Sequence, residues 1–194
     1  MITIYLDSSN TSLTVAIGDE TKIIDTISYE AWQRQSETMV PELDKILKTH
    51  NLTRHDIKDI VVAVGPGSYT GVRISITIAK VLSFALNCPI YPVSSLHVLK
   101  NRNKPSICVI NARSGRSYVG VYENEKVIVK DTIWKNDEVL TFVNAHPEYI
   151  LCGSAKHLGL EGYESSISEE MFSLKNYLIA CENSLSLKPV YLKD

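Results

Sequence analysis

Apolar and polar residues alternate through the first thirty positions. Ile2, Ile4 and Leu6 form one series, Leu13, Val15 and Ile17 a second, and Ile24 opens a third, with Asp7-Ser8-Ser9-Asn10 and Gly18-Asp19-Glu20 between them. A period of two bounded by turn residues predicts a three-stranded antiparallel meander. The period then lengthens. From Glu37 to Lys48, Met39, Val40, Leu43, Ile46 and Leu47 recur at helical spacing, which predicts an amphipathic helix with Ser36 as its N-cap. Thr53 to Asp56 reads as a short capped turn, and the unbroken apolar run Ile60 to Val64 suits a central strand covered on both faces. After the glycine-rich turn GPGSYTG a second helix runs to about Leu86. Pro89 and Pro92 bracket a brief strand at Ile90-Tyr91, and Ser94 is placed to cap the SLHVLK segment.

The polar run NRNKP, Asn101 to Pro105, is the best linker candidate. Beyond it the chain starts again with strands at ICVI, YVGVY and KVIVKDTIW, then a helix over Asp137 to Asn144, a strand at YILC and a helix near Glu169 to Cys181. The second half loosely repeats the order of the first. An α/β protein of two related subdomains is therefore expected: residues 1–100 and a smaller 101–194 unit whose last helix packs back on the first.

Composition narrows the function classes. The chain has 194 residues, 44% hydrophobic, with a net charge of −2 and no block of like charge, which argues against wholesale nucleic-acid or membrane binding. Locally the picture differs, because no Asp or Glu occurs between Val61 and Tyr122, whereas Arg73, Lys80, Lys100, Arg102, Lys104, Arg113 and Arg116 all do. Lys100, Arg102 and Lys104 form either a solvated linker, the default reading, or a contact with nucleic-acid phosphate or an acidic surface. Cys88, Cys108, Cys152 and Cys181 are widely spaced, so neither a zinc site nor a dithiol motif is readable, and buried free thiols of a reducing cytosol are expected. The N-terminus lacks a basic leader and no run approaches the roughly eighteen apolar residues of a membrane span, giving a cytoplasmic expectation without membrane contact. The five histidines never stand four apart, so they are expected to be solvated or capping; His50 and His55 lie near a helix end.

Glycines between a strand and a helix raise the possibility of a phosphate cradle. GPGSYTG departs from both nucleotide templates. Gly65 and Gly71 enclose five residues rather than the four of a Walker loop and are followed by Val72-Arg73, and the dinucleotide fingerprint would need glycine where Thr70 stands. The alternative is a tight turn whose glycines take positive φ, with Ser68 or Thr70 capping the next helix. That helix is apolar on two sides. At about 100° per residue, Val72, Ile76, Ala79 and Leu86 form one face and Ile74, Ile78, Val81 and Ala85 another, with Arg73, Thr77 and Lys80 between them. One face docks on the sheet, and the other is expected at a helix-helix interface.

The stretch VAVGPGSYTGVRISITIAKVLSFALNCPIYPVSSL resembles the signature of the bacterial TsaB (YeaZ) family, with Gly65, Pro66, Gly67, Ser68, Thr70, Gly71 and Arg73 as its turn. IYLDSSNTSLTVAI, QSETMVP, INARSGRSY and PVYLKD resemble further family segments in the same order. The resemblance implies an actin-like ATPase (ribonuclease H-like) fold and a non-catalytic scaffold that activates a TsaD-type threonylcarbamoyltransferase. The product is threonylcarbamoyladenosine beside the anticodon of tRNAs reading codons that start with A. Implied partners are the TsaD-type protein in a heterodimer and, through that complex, a TsaE-type ATPase, with a homodimer when the partner is absent and tRNA contact indirect or weak. Met39, Val40, Leu43, Val72, Ile74, Ile76, Ile78 and Val81 are the interface candidates. An actin-like ATPase needs acidic phosphate loops and a paired-glycine adenosine loop. Asp7 is present as a vestigial phosphate-loop candidate, but Ser8-Ser9 follows it, and Gly153 is followed by Ser154. Gln35, Asn111 and Arg116 replace the family's His, Asp and Glu. No catalytic residue, cofactor or metal is assigned. The alternative from another class is a self-sufficient actin-fold kinase, ATPase or peptidase.

Overall fold

The computed structural model describes residues 1–31 and 33–192. The meander is present: β1 (Ile2–Asp7), β2 (Ser12–Gly18) and β3 (Ile23–Glu30) pair antiparallel in sequence. Helix α1 (Gln35–Thr49) returns the chain to β4 (Ile57–Ala63), parallel to β1, and α2 (Tyr69–Leu86) carries it to β5 (Ile90–Val93), parallel to β4. The order is β3-β2-β1-β4-β5. The second half builds β6 (Ser106–Arg113), β7 (Arg116–Glu123) and β8 (Lys126–Lys135) as another antiparallel meander, then α3 (Asn136–Ala145) and β9 (Ile150–Gly153), in the order β8-β7-β6-β9. Apart from β5 the two sheets share one connectivity, so the loose repeat in the sequence is a duplicated β-β-β-α-β unit.

Packing explains why β1 is buried at every position. Ile2, Ile4 and Leu6 meet Met39 and Leu43 of α1 and Val72 and Ile76 of α2. On the opposite face Tyr5 meets Met171 and Leu174 of α4 (Ile167–Leu174), a helix from the far end of the chain. In the second sheet, Ile107, Val109, Val119 and Val121 pack with Val139 of α3. Its other face, carrying Cys108, Ile110 and Tyr122, meets Leu96 beside a short 3-10 turn at His97–Leu99. By length and composition α2 is apolar enough to cross a membrane, yet Val72, Ser75, Ile76, Ala79 and Ser83 along it are buried inside the protein.

Several local expectations are corrected. Helix α1 starts after Arg34 with no side-chain cap, so Ser36 lies inside the first turn instead of capping it. The Thr53 to Asp56 turn does carry a reciprocal capping box. The last helix ends at Leu174, short of Cys181. Beyond it Lys175 Nζ bonds Asp59 Oδ2 at 2.5 Å and Thr3 Oγ1 at 3.0 Å, and Cys181 N donates to Ile90 O at 2.8 Å, so the chain joins the open edge of β5 rather than continuing as helix.

The junction holds the largest departure from the sequence reading. Lys100 is not solvated: it is 1% exposed, with Nζ 3.1 Å from Glu170 Oε2. Half-exposed Arg102 places Nε 3.2 Å from Glu170 Oε1 and donates to Glu169 O at 2.8 Å. Of the three cations only Lys104 fits the solvated-linker reading. Nearby, Ser94 Oγ donates to Asp131 Oδ2 at 2.5 Å, and Tyr122 OH donates to Asp131 Oδ1. His97 stacks on Tyr122 at 4.2 Å, and burial pushes its imidazole down to about 4, so the ring is neutral at physiological pH. His157 Nε2 lies 2.7 Å from Ser117 Oγ. Neither histidine is solvated. Cys88, Cys108 and Cys152 are buried free thiols, and Cys181 is half-buried.

Candidate functional site

The glycine turn lies against the β1–β2 turn, and that contact explains its residues. Only Gly65 has the positive φ expected of these glycines, at 103°, and a Cβ there would also approach Val190 O to 2.8 Å. Gly67 and Gly71 are glycine for clearance: a Cβ would stand 2.2 Å from Ser9 O and 1.8 Å from Ser8 O respectively. Hydrogen bonds close the gap. Ser68 N donates to Ser9 O at 2.7 Å and Ser8 Oγ donates to Gly71 O at 2.7 Å. Ser68, not Thr70, caps α2, accepting from Gly71 N at 3.2 Å, and Gly65 N donates to Ser95 Oγ at 3.0 Å. The Ser8-Ser9 backbone thus lies against Gly67 and Gly71 and takes up the Ser68 amide, while Ser68, Tyr69 and Thr70 at the helix terminus remain exposed.

Asp7 ends β1 at the base of this contact. Its carboxylate is buried and accepts from Ser9 N at 2.8 Å, but removal from water pushes its pKa above the ordinary value of 3.8. Among the described residues no group of three His, Cys, Asp or Glu side chains is placed to hold a metal. A carboxyl whose native pKa is raised supports folding below its unfolded value and opposes it increasingly as pH rises through the native value. Asp7→Asn keeps the acceptor for Ser9 N and removes the buried charge, so its melting temperature should exceed wild type at pH 7 and converge with it below about pH 3.8. Thermal unfolding across that range checks the prediction; a lower melting temperature at pH 7 contradicts it.

A second element docks on the turn that the sequence pattern did not connect to it. Val190 N donates to Val64 O at 2.7 Å, Tyr191 stacks on Tyr69 at 5.1 Å, and Arg73 Nε donates to Tyr191 OH at 2.7 Å. Val190 and Tyr191 thus seal the glycine turn, which they follow by more than a hundred residues. Tyr69 and Tyr191 were missed because their pairing is visible only in space.

The interface candidates divide by burial. Met39, Leu43, Val72 and Ile76 lie in the core between α1, α2 and the first sheet, which corrects their assignment to an outward surface. Val40 is 50% exposed and Val81 62% exposed, while Ile74 and Ile78 are half-buried, Ile78 against the core of the first sheet. Phe84, 75% exposed, belongs with them; its spacing of three from Val81 was the available signal. Of the positions that depart from the family pattern, Gln35 Nε2 reaches the Asn10 and Thr11 carbonyls at 3.4 Å, and Asn111 Oδ1 accepts from Arg113 N at 2.8 Å. Arg116 opens β7 in the same hairpin as Asn111.

Two duplicated α/β units, with the first hairpin and the glycine turn locked together, define a protein of the actin-like class. The family model of TsaD, tRNA N6-adenosine threonylcarbamoyltransferase, matches residues 27–163. The chain belongs to this family and, within it, to the TsaB (YeaZ) branch. The tRNA threonylcarbamoyladenosine biosynthesis protein TsaB of Bacillus subtilis is 34% identical over 138 residues, 69% of this chain and 60% of that protein. An uncharacterized protein of Mycoplasma genitalium is 29% identical over 201 residues, covering 98% of this chain and 94% of that one. The structure of YeaZ from Pseudomonas aeruginosa superposes with a TM-score of 0.82 at 20% identity, covering 98% of this chain and 99% of that chain. The chain spans about three-fifths of the length of the TsaB of Bacillus subtilis.

Proposed function

We propose that this chain is the non-catalytic activating subunit of a complex that forms threonylcarbamoyladenosine in tRNA, with a TsaD-type protein as its direct partner. The observation that carries the reading is the two-faced α2: Val72 and Ile76 are fixed in the core while Val81 and Phe84 are left outward as an apolar surface, with half-buried Ile74 on the same helix. Such a surface on a helix is a protein-docking signature. A non-catalytic role is supported by the buried Asp7, whose charged form burial disfavours, and by the close contact of Ser8-Ser9 with Gly67 and Gly71. The TsaE-type ATPase is reached through the complex, tRNA contact is indirect, the face pairs with a second copy when the partner is absent, and the setting is the cytoplasm. Residues 1–100 and 101–194 are the two subdomains of this reading.

Two variants test it. Ile76→Asp should lower stability by about 4 kcal/mol or more, because its carboxylate would enter the core without a partner. Val81→Asp, on an exposed position of α2, should leave the melting temperature within a few degrees of wild type and abolish association with the TsaD-type protein. A reaction reconstituted with that partner, tRNA and the accessory enzymes should then lose threonylcarbamoyladenosine, measured by nucleoside mass spectrometry. Normal modification by the Val81→Asp protein, or without this chain at all, contradicts the proposal.

A further inference from the structure

One guanidinium on the outward side of α2 is held in advance of any binding event. Arg73 Nε is committed to Tyr191 OH at 2.7 Å, and the guanidinium carbon stands 4.1 Å from the Tyr69 ring centre and 5.8 Å from that of Tyr191. The two rings stack on each other with planes 22° apart. Among the described residues no carboxylate lies within ion-pair reach of Arg73, and none occurs in the sequence between Val61 and Tyr122. With Nε held by Tyr191 and the guanidinium over the Tyr69 ring, the rotamer freedom that binding would otherwise remove has already been removed.

Arg73 also has a specific neighbourhood. Thr77, Val81 and Phe84 continue its exposed stripe along α2, with Ile74 and Ile78 alongside. An apolar centre with a charged edge is the anatomy of a protein interface, and a planar pair of donors matches a carboxylate. We propose that Arg73, oriented by Tyr69 and Tyr191, is the docking point for a carboxylate of the protein that covers the outward face of α2, which makes the C-terminal segment part of that interface. This rests on the reading that the face meets the TsaD-type partner. A carboxylate fits better than a nucleic-acid phosphate because the adjoining surface is Val81 and Phe84, which a sugar-phosphate backbone would not cover.

The test is titration of the full chain with the TsaD-type protein at low and high salt, paired with thermal unfolding. Arg73→Ala and Arg73→Lys should each weaken association about tenfold, and Arg73→Ala should flatten its salt dependence. Tyr191→Phe keeps the stack and loses only the hydroxyl, so it should weaken association about threefold with Arg73 itself intact. All three should melt within a few degrees of wild type. Val81→Asp separates the two levels: if it abolishes binding while the Arg73 and Tyr191 variants bind as wild type, the docking point is wrong and the face is right. Normal binding by Val81→Asp overturns the face and the docking point together. Equal losses of melting temperature and affinity would make the cluster structural and overturn the proposal, as would an Arg73→Ala defect confined to tRNA binding.

Discussion

Gly71→Ala is expected to destabilise the protein by about 3 kcal/mol, although alanine is the better helix former. Gly71 lies in the first turn of α2 with no positive φ, where propensity alone would make alanine stabilising by up to about 1 kcal/mol. The new methyl would stand 1.8 Å from Ser8 O, which is backbone on both sides of the contact, so no flexible side chain can move away. Relief requires separating the two turns. That breaks the Ser8 Oγ to Gly71 O and Ser68 N to Ser9 O bonds, each 2.7 Å. Gly115→Ala is the matched control: its φ is 74° but nothing lies within 4 Å, so only the left-handed strain of about 1–2 kcal/mol applies. Urea unfolding should show a midpoint loss for Gly71→Ala at least about twice that for Gly115→Ala. Equal losses would mean that close approach is not what requires glycine at the signature turn.

Glu170→Ala should cost about 3–5 kcal/mol by leaving Lys100, 1% exposed, charged and unpaired in the interior. The neighbouring Arg102 is half-exposed and can turn to water, so its share of the loss is small. The pair need not be a net source of stability, because two desolvated charges repay little of their hydration. Lys100→Met combined with Glu170→Leu should therefore recover most of what Glu170→Ala loses. A double-mutant cycle by chemical denaturation measures this, and hydrogen exchange should show α4 opening first in the single mutant. A loss under about 1 kcal/mol for Glu170→Ala would show that Lys100 reaches water by another route.

Much of the architecture was legible because it is written in consecutive residues. The alternation of Ile2, Ile4 and Leu6 and of Leu13, Val15 and Ile17 gave the meander, and the spacing of Met39, Leu43, Ile46 and Leu47 gave the buried face of α1. The signature turn was visible as a motif, and its mismatch with the nucleotide templates was readable directly. The two-sided apolarity of α2 was also plain, but not which side faces inward. Local signals failed where another segment supplied the answer. Ser36 has the right chemistry for a cap, yet Gln35 is drawn to the Asn10 and Thr11 carbonyls and the helix begins two positions earlier, at Gln35.

Strand and helix periods depend on a few neighbouring side chains, so they survive without knowledge of the rest of the molecule. The reasons for particular residues do not. Gly71 answers to Ser8, Gly65 to Val190, Lys100 to Glu170 and Tyr69 to Tyr191, and each partner arrives from a segment dozens of residues away. Tyr5 and Thr3 alternate as a solvent face would, yet both are buried, Tyr5 against Met171 and Leu174 of α4 and Thr3 beside Asp59 and Lys175. Period and propensity thus settled which elements form, while burial, clearance and charge pairing were decided by which surfaces the folded chain brings within a few ångströms.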